Sequence, residues 1–406
     1  MTSNSAPSPS ATGIALAGTV VTLCLMAVAW FFFANPSVLP PKDFVEYWAA
    51  ARVALEGGNP YHGDALLPWQ RVAAHEPDRH EAVMMWNPPW TLPVYFPLAW
   101  LEPRTAQFAW LTLQTGLIVV SAILLWKLYG GPREHVGAAL LIALTFYATL
   151  WTIKYGQNTG LLLFGLAGFA YFDAKNRPVL AGACAALTAL KPHLLAVFGV
   201  LLVLNVLRPR GVLTLVSGVA VIAMGLVIAL AVNADVLDQY LAALRRPKTE
   251  SSVPLHLWQL PQGAYYLRMA LVPHDPQGRS FWIQFVPCIL ACGVYATVFL
   301  RRRKSWNWSA ELPAIIWVSV LTAPYGGWIF DLLVLLVPVI QAAVWLAHMG
   351  RPGSIRLFAA CHLVLTAATF TFVRFLDDFW WVAPCSLLLY LAAWSTARRG
   401  RIERDS

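Results

Sequence analysis

Long apolar stretches separated by short polar segments dominate the chain. A membrane-spanning helix needs about 20 predominantly apolar residues, and twelve stretches approach or reach that length. They lie at 12–34, 105–128, 136–153, 158–173, 178–190, 192–207, 211–232, 281–300, 309–323, 328–348, 355–374 and 378–397. The pattern predicts an all-α polytopic membrane protein, one domain over residues 1–406, with about twelve transmembrane helices. The first stretch is long and has no basic residues before it, which predicts a retained anchor.

Two long polar segments, 35–88 and 233–280, interrupt this pattern. In the first, apolar side chains recur at helical spacing from Phe44 to Leu55, and Gly57-Gly58-Asn59-Pro60 follows. The spacing predicts an amphipathic helix lying along the membrane surface. A comparable helix is expected in the second segment. The apolar residues 89–101 contain three prolines, which predicts a segment that dips into the membrane and packs against protein.

Composition and charge agree with a membrane protein. Hydrophobic residues make up 58% of the chain and charged residues 12%, about half the charged share of a soluble domain. The net charge of +9 comes from basic residues in short loops, so bilayer orientation explains it better than a nucleic-acid partner does. The positive-inside rule places both termini in the cytoplasm and both long segments outside. All six cysteines lie in apolar stretches, which favours free thiols over a metal site.

Asp43 is the first acidic residue of the chain, and Glu46 follows three positions later. One interpretation is a capping box at the start of the predicted helix. Another is that Asp43, at a membrane boundary, accepts a proton from a substrate. The two interpretations are compatible.

Polar residues also occur at the ends of later apolar stretches, where unsatisfied polar groups are costly. A turn needs the Gly and Asn of 154–160 but not Lys154 or Gln157, so these two residues and Asn158 are candidate ligand contacts. Lys191, followed by Pro192 and His193, either snorkels to the interface or meets a phosphate. Asp331 lies about one turn inside an apolar stretch, after Tyr325, and either has a function or pairs with Lys154, Lys191 or Arg374.

Further candidates lie in the two long segments. Trp86 and Asn87 precede two prolines, and Trp86 could stack on a sugar or anchor the chain at the interface. His256 and Arg268 lie among aromatic residues, a combination that suits an anionic lipid or a glycan. Together with Glu46 and Tyr47, these residues are the candidate acceptor or loop contacts.

Several short motifs resemble those of glycosyltransferase family 87. The first group is Asp43-Phe44 with Tyr47-Trp48, Gly57-Gly58-Asn59-Pro60-Tyr61, Pro88-Pro89 and Phe96-Pro97-Leu98-Ala99. The later group is Gly156-Gln157-Asn158, Ala181-Gly182 leading to Lys191-Pro192, and Pro324-Tyr325 leading to Asp331. The resemblance extends from about residue 40 to 340. It departs from the family at Trp86-Asn87, where an aromatic residue often directly precedes the prolines.

The resemblance implies a GT-C membrane fold with an extracytoplasmic active site, in a bacterial plasma membrane. It also implies inverting, metal-independent transfer of mannose from a polyprenyl-monophosphate donor to a lipid or glycan acceptor, without a cofactor. Asp43 would be the general base. Lys191, His193, Lys154, Gln157, Asn158, Asp331 and Tyr325 would bind the donor's phosphate or sugar. A transporter and a catalytically silent glycan-binding or lipid-binding membrane protein remain the alternatives; the chain lacks the duplicated halves typical of transporters.

Overall fold

The computed structural model divides the chain into two compact units, residues 1–41 and residues 42–406. It describes residues 27–35, 37–245, 262–275, 277–349, 352–374 and 378–405. Residues 27–34 of the first unit are helical, which matches the end of the predicted anchor. The remainder of that predicted anchor lies outside the described residues.

The described residues of the second unit contain helices and no strand. The α-helices are α1 (Phe44–Leu55), α2 (Gly63–Ala74), α3 (Leu92–Ala99), α4 (Pro103–Leu128), α5 (Val136–Thr145), α6 (Tyr147–Tyr155), α7 (Thr159–Ala174), α8 (Pro178–Ala186), α9 (Ala196–Leu204), α10 (Gly211–Val232), α11 (Val236–Arg245), α12 (Gly263–Leu271), α13 (Val286–Arg302), α14 (Trp308–Thr322), α15 (Leu336–His348), α16 (Pro352–Phe372) and α17 (Val382–Asp405). In the described residues, short 3₁₀ turns adjoin six of them: Pro89–Thr91 precedes α3, Arg133–His135 precedes α5, Leu187–Leu190 follows α8, Asn205–Leu207 follows α9, Phe281–Phe285 precedes α13 and Asp331–Leu335 precedes α15.

Five helical segments in the described residues are long and apolar enough to cross a membrane. They are Pro103–Leu128, Gly211–Val232, Phe281–Arg302, Asp331–His348 and Gly353–Phe372. A sixth is possible if α5 and α6, which meet at a 50° bend, form one broken span. The all-helical membrane architecture is confirmed. Helices α7, α8, α9 and α14 coincide with predicted stretches but are shorter than the five spans. The count of twelve therefore stays a prediction.

The fraction of buried residues differs between the segment that begins at Asp331 and helix α10. In the segment formed by the 331–335 turn and α15, 89% of the apolar window is buried within the protein, against 11% in α10. Valine side chains such as Val216 and Val227 on α10 are exposed, as expected for a helix that faces lipid. The segment that begins at Asp331 therefore forms the centre of the helical assembly.

Helices α8 and α10 approach closely through small residues. A Cβ atom added to Gly182 would lie 2.0 Å from the Thr214 carbonyl oxygen, so no larger residue fits there. Small residues allow this kind of close backbone contact between membrane helices. The contact fixes α8, which leads directly into the segment that carries Lys191.

Helix α1 has the predicted bounds but a different environment. In place of one apolar and one polar face, it is buried on nearly all sides, with Phe44, Val45 and Ala49 completely inaccessible. The proline-containing segment 89–101, which forms a 3₁₀ turn and α3, packs against α1, and so does α2. Packing of this segment against protein was predicted and is confirmed.

Helices also form in the described part of the second long segment. Helix α11 follows directly after the span α10, and α12 precedes the span that begins at Phe281. Its central part, 246–261, lies outside the described residues, and so does the candidate His256.

Candidate active site

A cleft with an empty volume of about 690 Å³, including space open to solvent, lies where six parts of the chain meet. Its walls come from α1 (Glu46, Tyr47), the 86–88 segment, Gln157, the 190–193 segment, α11 (Tyr240, Leu244) and residues 325, 326 and 328. Eight of the predicted site residues line it: Glu46, Tyr47, Trp86, Asn87, Gln157, Lys191, His193 and Tyr325.

Asp43 lies beside this cleft at the start of α1, partly exposed. Although it occupies the N-cap position, its side chain makes no capping hydrogen bond. The carboxylate instead accepts a hydrogen bond of 2.7 Å from Nε2 of Gln157. The capping-box interpretation is therefore wrong, because the side chain turns toward Gln157 and away from the helix amides.

The environment of Asp43 suits a proton acceptor. Burial raises the pKa of its carboxyl to about 6, and the hydrogen bond from Gln157 and the charges of Lys191 and Lys42 oppose part of that rise. A base works best when its pKa lies near the operating pH. Asp43 is ionised at neutral pH and holds a proton more readily than an exposed aspartate does.

Gln157 connects three site residues through one amide. Its Oε1 atom accepts hydrogen bonds from the Tyr47 hydroxyl at 2.8 Å and from Nζ of Lys191 at 3.1 Å. Its Nε2 atom donates to Asp43. Because donors face the oxygen and an acceptor faces the nitrogen, the amide orientation is fixed, and it places Asp43 and Lys191 on opposite sides of one planar group.

Lys191 is held by a buried ion pair. Its Nζ atom donates to Oδ1 of Asp331 at 2.6 Å, and Asp331 also accepts hydrogen bonds from the Thr159 hydroxyl and the Trp328 amide, each at 3.1 Å. The Asp331 side chain is fully buried. Of the three pairings considered for Asp331, the one with Lys191 is confirmed. Two of the three Lys191 N–H groups are thus used within the protein, which leaves one for a ligand.

The segment around Lys191 is not a helix start. Helix α9 begins at Ala196, so Pro192 lies before its first turn. Asn87 secures this segment from the opposite wall, because its Nδ2 atom donates to the Leu190 carbonyl at 2.9 Å. Lys191 therefore reaches the cleft from an irregular segment. Because it does not lie at a helix N-terminus, a helix dipole does not add to the positive charge of its ammonium.

His193 and Tyr325 form one wall of the cleft. Their rings stack with centroids 4.5 Å apart. Burial and the charge of Lys191 lower the pKa of the imidazole to about 3, so His193 is neutral at physiological pH. It can offer a hydrogen bond or a ring face to a ligand, but it cannot neutralise a phosphate.

Asp43 and Asp331 lie next to the cleft without lining it, and three more predicted residues in the described part of the chain do not line it either. The ammonium of Lys154 lies 4.1 Å from the ring centroid of Trp151, so this side chain packs against its own helix, α6. Asn158 donates to the Tyr95 hydroxyl at 2.9 Å, and Tyr95 stacks on Tyr47, so its contribution to the cleft is indirect.

Arg268 is the third, and it contributes to local structure. It is buried and bonds to Asp275 and Ser280, which ties α12 to the turn before α13. The sequence indicated a ligand contact because local pattern does not show that Arg268 pairs with Asp275, seven positions later in the same loop.

The sequence interpretation missed Tyr240 and Leu244, which line the cleft from α11. The apolar periodicity of residues 236–245 was the available signal. In the described part of the chain, no three His, Cys, Asp or Glu side chains come close enough to share a metal ion.

The fold and site define a class: a multi-pass helical membrane protein whose cleft brings together carboxylates, a lysine and aromatic rings. The chain matches the model of glycosyltransferase family 87 over residues 86–324, more than half of its length, and it belongs to that family. It is a membrane glycosyltransferase, as its motifs predicted. No curated protein and no solved structure matches it. Asp43, Glu46 and Asp331 lie outside the matched range, so their roles are argued from geometry.

Proposed function

We propose that this protein transfers mannose from a polyprenyl-monophosphate donor to an extracytoplasmic lipid or glycan acceptor, with inversion and without a metal. The observation that carries the proposal is the Gln157 amide, which connects a candidate base, Asp43, to a candidate phosphate ligand, Lys191. Sugar transfer from a phosphate donor needs both groups, one for the incoming hydroxyl and one for the departing oxygen.

In the proposed reaction, the acceptor hydroxyl lies near Asp43 and loses its proton to the carboxylate as its oxygen bonds to the anomeric carbon. The bond between that carbon and the phosphate oxygen breaks on the opposite face of the sugar. The electron pair leaves with the polyprenyl phosphate, which gains one negative charge while Asp43 becomes neutral. The remaining N–H of Lys191 stabilises the charge developing on the phosphate.

Asp331 positions Lys191 in this scheme. The carboxylate is fixed by Thr159 and Trp328, so the ammonium cannot swing out of the cleft. The aromatic rings of Trp86, Tyr325 and Trp328 provide apolar faces suited to sugar rings. His193, being neutral, would contact the donor only through a hydrogen bond or its ring.

The distribution of charges supports an extracytoplasmic site. Gln157 and Thr159 lie at the start of α7, whereas the basic residues Lys175 and Arg177 lie just beyond its end. A helix of that length spans about 24 Å at 1.5 Å per residue. By the positive-inside rule, the basic end faces the cytoplasm of a bacterial plasma membrane, together with both termini. The cleft then faces outward.

The test is sugar transfer in membranes supplied with radiolabelled polyprenyl-phosphate-mannose. Wild type is compared with Asp43→Asn and with Glu56→Gln, an exposed acid just after the same helix, at matched expression. We expect label to move to an extractable lipid or glycan in wild type and Glu56→Gln but not in Asp43→Asn. Equal transfer by Asp43→Asn would refute the base assignment. Absence of transfer in wild type would refute the donor.

A further inference from the structure

Glu46 is the carboxyl group that faces the cleft directly, one helical turn after Asp43. Its side chain is buried, lines the cleft beside Lys191, and accepts a hydrogen bond from the backbone amide of Trp86. In the described part of the chain it has no ion-pair partner. A buried carboxylate without a partner is costly, whereas a neutral carboxylic acid is tolerated.

The charges around Glu46 are unbalanced. Asp43 and Asp331 are acids close enough to disfavour its ionisation, and Lys191 is the cation in the described part of the chain that favours it. That ammonium is already paired with Asp331. Other titratable groups around Glu46 are the hydroxyls of Tyr47 and of Tyr95 on α3, and His193, Tyr240 and Tyr325 line the same cleft; all of them carry no charge at neutral pH. Burial and the charge of Asp43 accordingly raise the pKa of Glu46 well above its usual value.

The two carboxyls thus differ in environment although they lie on one turn. Asp43 receives a hydrogen bond from the Gln157 amide, which favours its ionised form. Glu46 receives no such side-chain hydrogen bond from the described residues, and it is more buried than Asp43. Pairs of acids with such different surroundings commonly divide into an ionised base and a neutral hydrogen-bond donor.

We propose that Glu46 is a neutral carboxylic acid that donates a hydrogen bond to the phosphate of the donor, next to Lys191, while Asp43 is the ionised member of these two carboxyls. The inference rests on the proposed function, because it assigns an anionic phosphate to this cleft. A second ionised carboxylate in the cleft would repel that phosphate, whereas a protonated Glu46 adds a donor. Binding of the donor should therefore weaken as rising pH ionises Glu46.

The experiment measures binding of a short-chain prenyl-phosphoryl-mannose, whose phosphodiester carries a fixed single charge, to the purified full-length protein. Asp43→Asn serves as the parent, because it removes both turnover and the titration of Asp43. In this parent we expect affinity to fall as pH rises. Adding Glu46→Gln, a permanently neutral donor, should remove the fall, and adding Glu46→Ala should weaken binding about tenfold or more, as loss of one hydrogen bond to a charged group does. Thermal unfolding of each variant checks that it folds.

Two results would overturn the inference. One is pH-independent binding in Asp43→Asn; the other is equal weakening by Glu46→Gln and Glu46→Ala, which would mean that the ionised carboxylate is needed. In the transfer assay, abolition of activity by the single variant Glu46→Gln would also contradict a neutral role. These outcomes differ from failure of the proposed function, in which wild type neither binds the probe nor transfers sugar; that result would overturn both.

Discussion

The Nζ atom of Lys191 lies 2.6 Å from Oδ1 of Asp331, and the Asp331 side chain is fully buried. The two residues are far apart in sequence, and each ends or begins an apolar stretch. Their ion pair links the segment between α8 and α9 to the central segment that begins at Asp331. It also means that the cation proposed to bind phosphate is held in place before any ligand arrives.

Loss of one partner should therefore affect both stability and transfer. Asp331→Asn leaves the Lys191 ammonium buried without its countercharge, so we expect a loss of about 3–5 kcal/mol in unfolding free energy, together with loss of transfer. Thermal unfolding in detergent and the radiolabel assay measure the two effects.

A double variant and a surface pair serve as controls. Lys191→Met with Asp331→Leu replaces the pair by apolar groups and should recover stability without recovering transfer. Glu56→Gln breaks the exposed pair with Arg52 and should cost less than about 1 kcal/mol. A stability change as small in Asp331→Asn as in Glu56→Gln would contradict the buried ion pair.

The pH dependence of transfer should report Asp43. A base must be ionised, and the pKa of Asp43 is raised to about 6 by burial. Activity is then present above that value and lost as pH falls through it. We expect the acidic limb of the kcat/KM profile, which reports the ligand-free protein, near pH 6; a limb at the pKa of an ordinary aspartate would contradict the raised pKa of Asp43.

Replacement of Gln157 should move this acidic limb. Gln157→Leu removes the hydrogen bond that favours ionised Asp43, so the pKa of Asp43 should rise and the limb should move to higher pH. The same change leaves Tyr47 and Lys191 without one acceptor, which should also lower kcat.

Asn158→Leu is the matched control for Gln157→Leu, because Asn158 is the next residue but bonds to Tyr95 outside the cleft. It should reduce stability without moving the limb. If both variants leave the pH profile unchanged, Gln157 does not tune Asp43.

Much of the site was predictable because polar groups are costly in apolar segments. Gln157, Lys191 and Asp331 each stood out for that reason, and all three meet at the cleft. The hydrogen bond from Gln157 to Asp43 could not be read from local sequence, because it joins residues more than a hundred positions apart. The local sequence favoured a capping box, but in the fold the Asp43 carboxylate accepts a hydrogen bond from Gln157 and does not cap the helix.

The errors of environment have a similar origin. The helix at Phe44 has the predicted bounds, but it is buried on both faces and is not amphipathic in its surroundings. Its periodicity could not reveal that α2 and the proline-containing segment 89–101 pack against it. Arg268 had the composition of a ligand contact, yet Asp275 and Ser280 bind it. Pattern predicts where helices begin and end, whereas the burial of each face depends on neighbours distant in sequence.

Gly326 should be intolerant of substitution for two separable reasons. Its φ of +68° is a left-handed conformation, and an added Cβ atom would lie 2.6 Å from Nε2 of His193. Gly57 shares the first feature, with φ of +75°, but has no atom within 4 Å of an added Cβ. Gly57→Ala should therefore cost about 1 kcal/mol from backbone strain alone, and Gly326→Ala should cost more and displace His193 from the cleft wall.

A double-mutant cycle isolates the contact with His193. Removal of the ring in His193→Ala should relieve the steric part of the Gly326→Ala penalty, so the two changes together should cost about 1 kcal/mol less than the sum of their separate effects. Unfolding in detergent gives the stabilities, and transfer assays show whether the displaced wall lowers kcat/KM. Additive effects, with Gly326→Ala no worse than Gly57→Ala, would show that the imidazole does not press against Gly326 and that this wall does not depend on glycine.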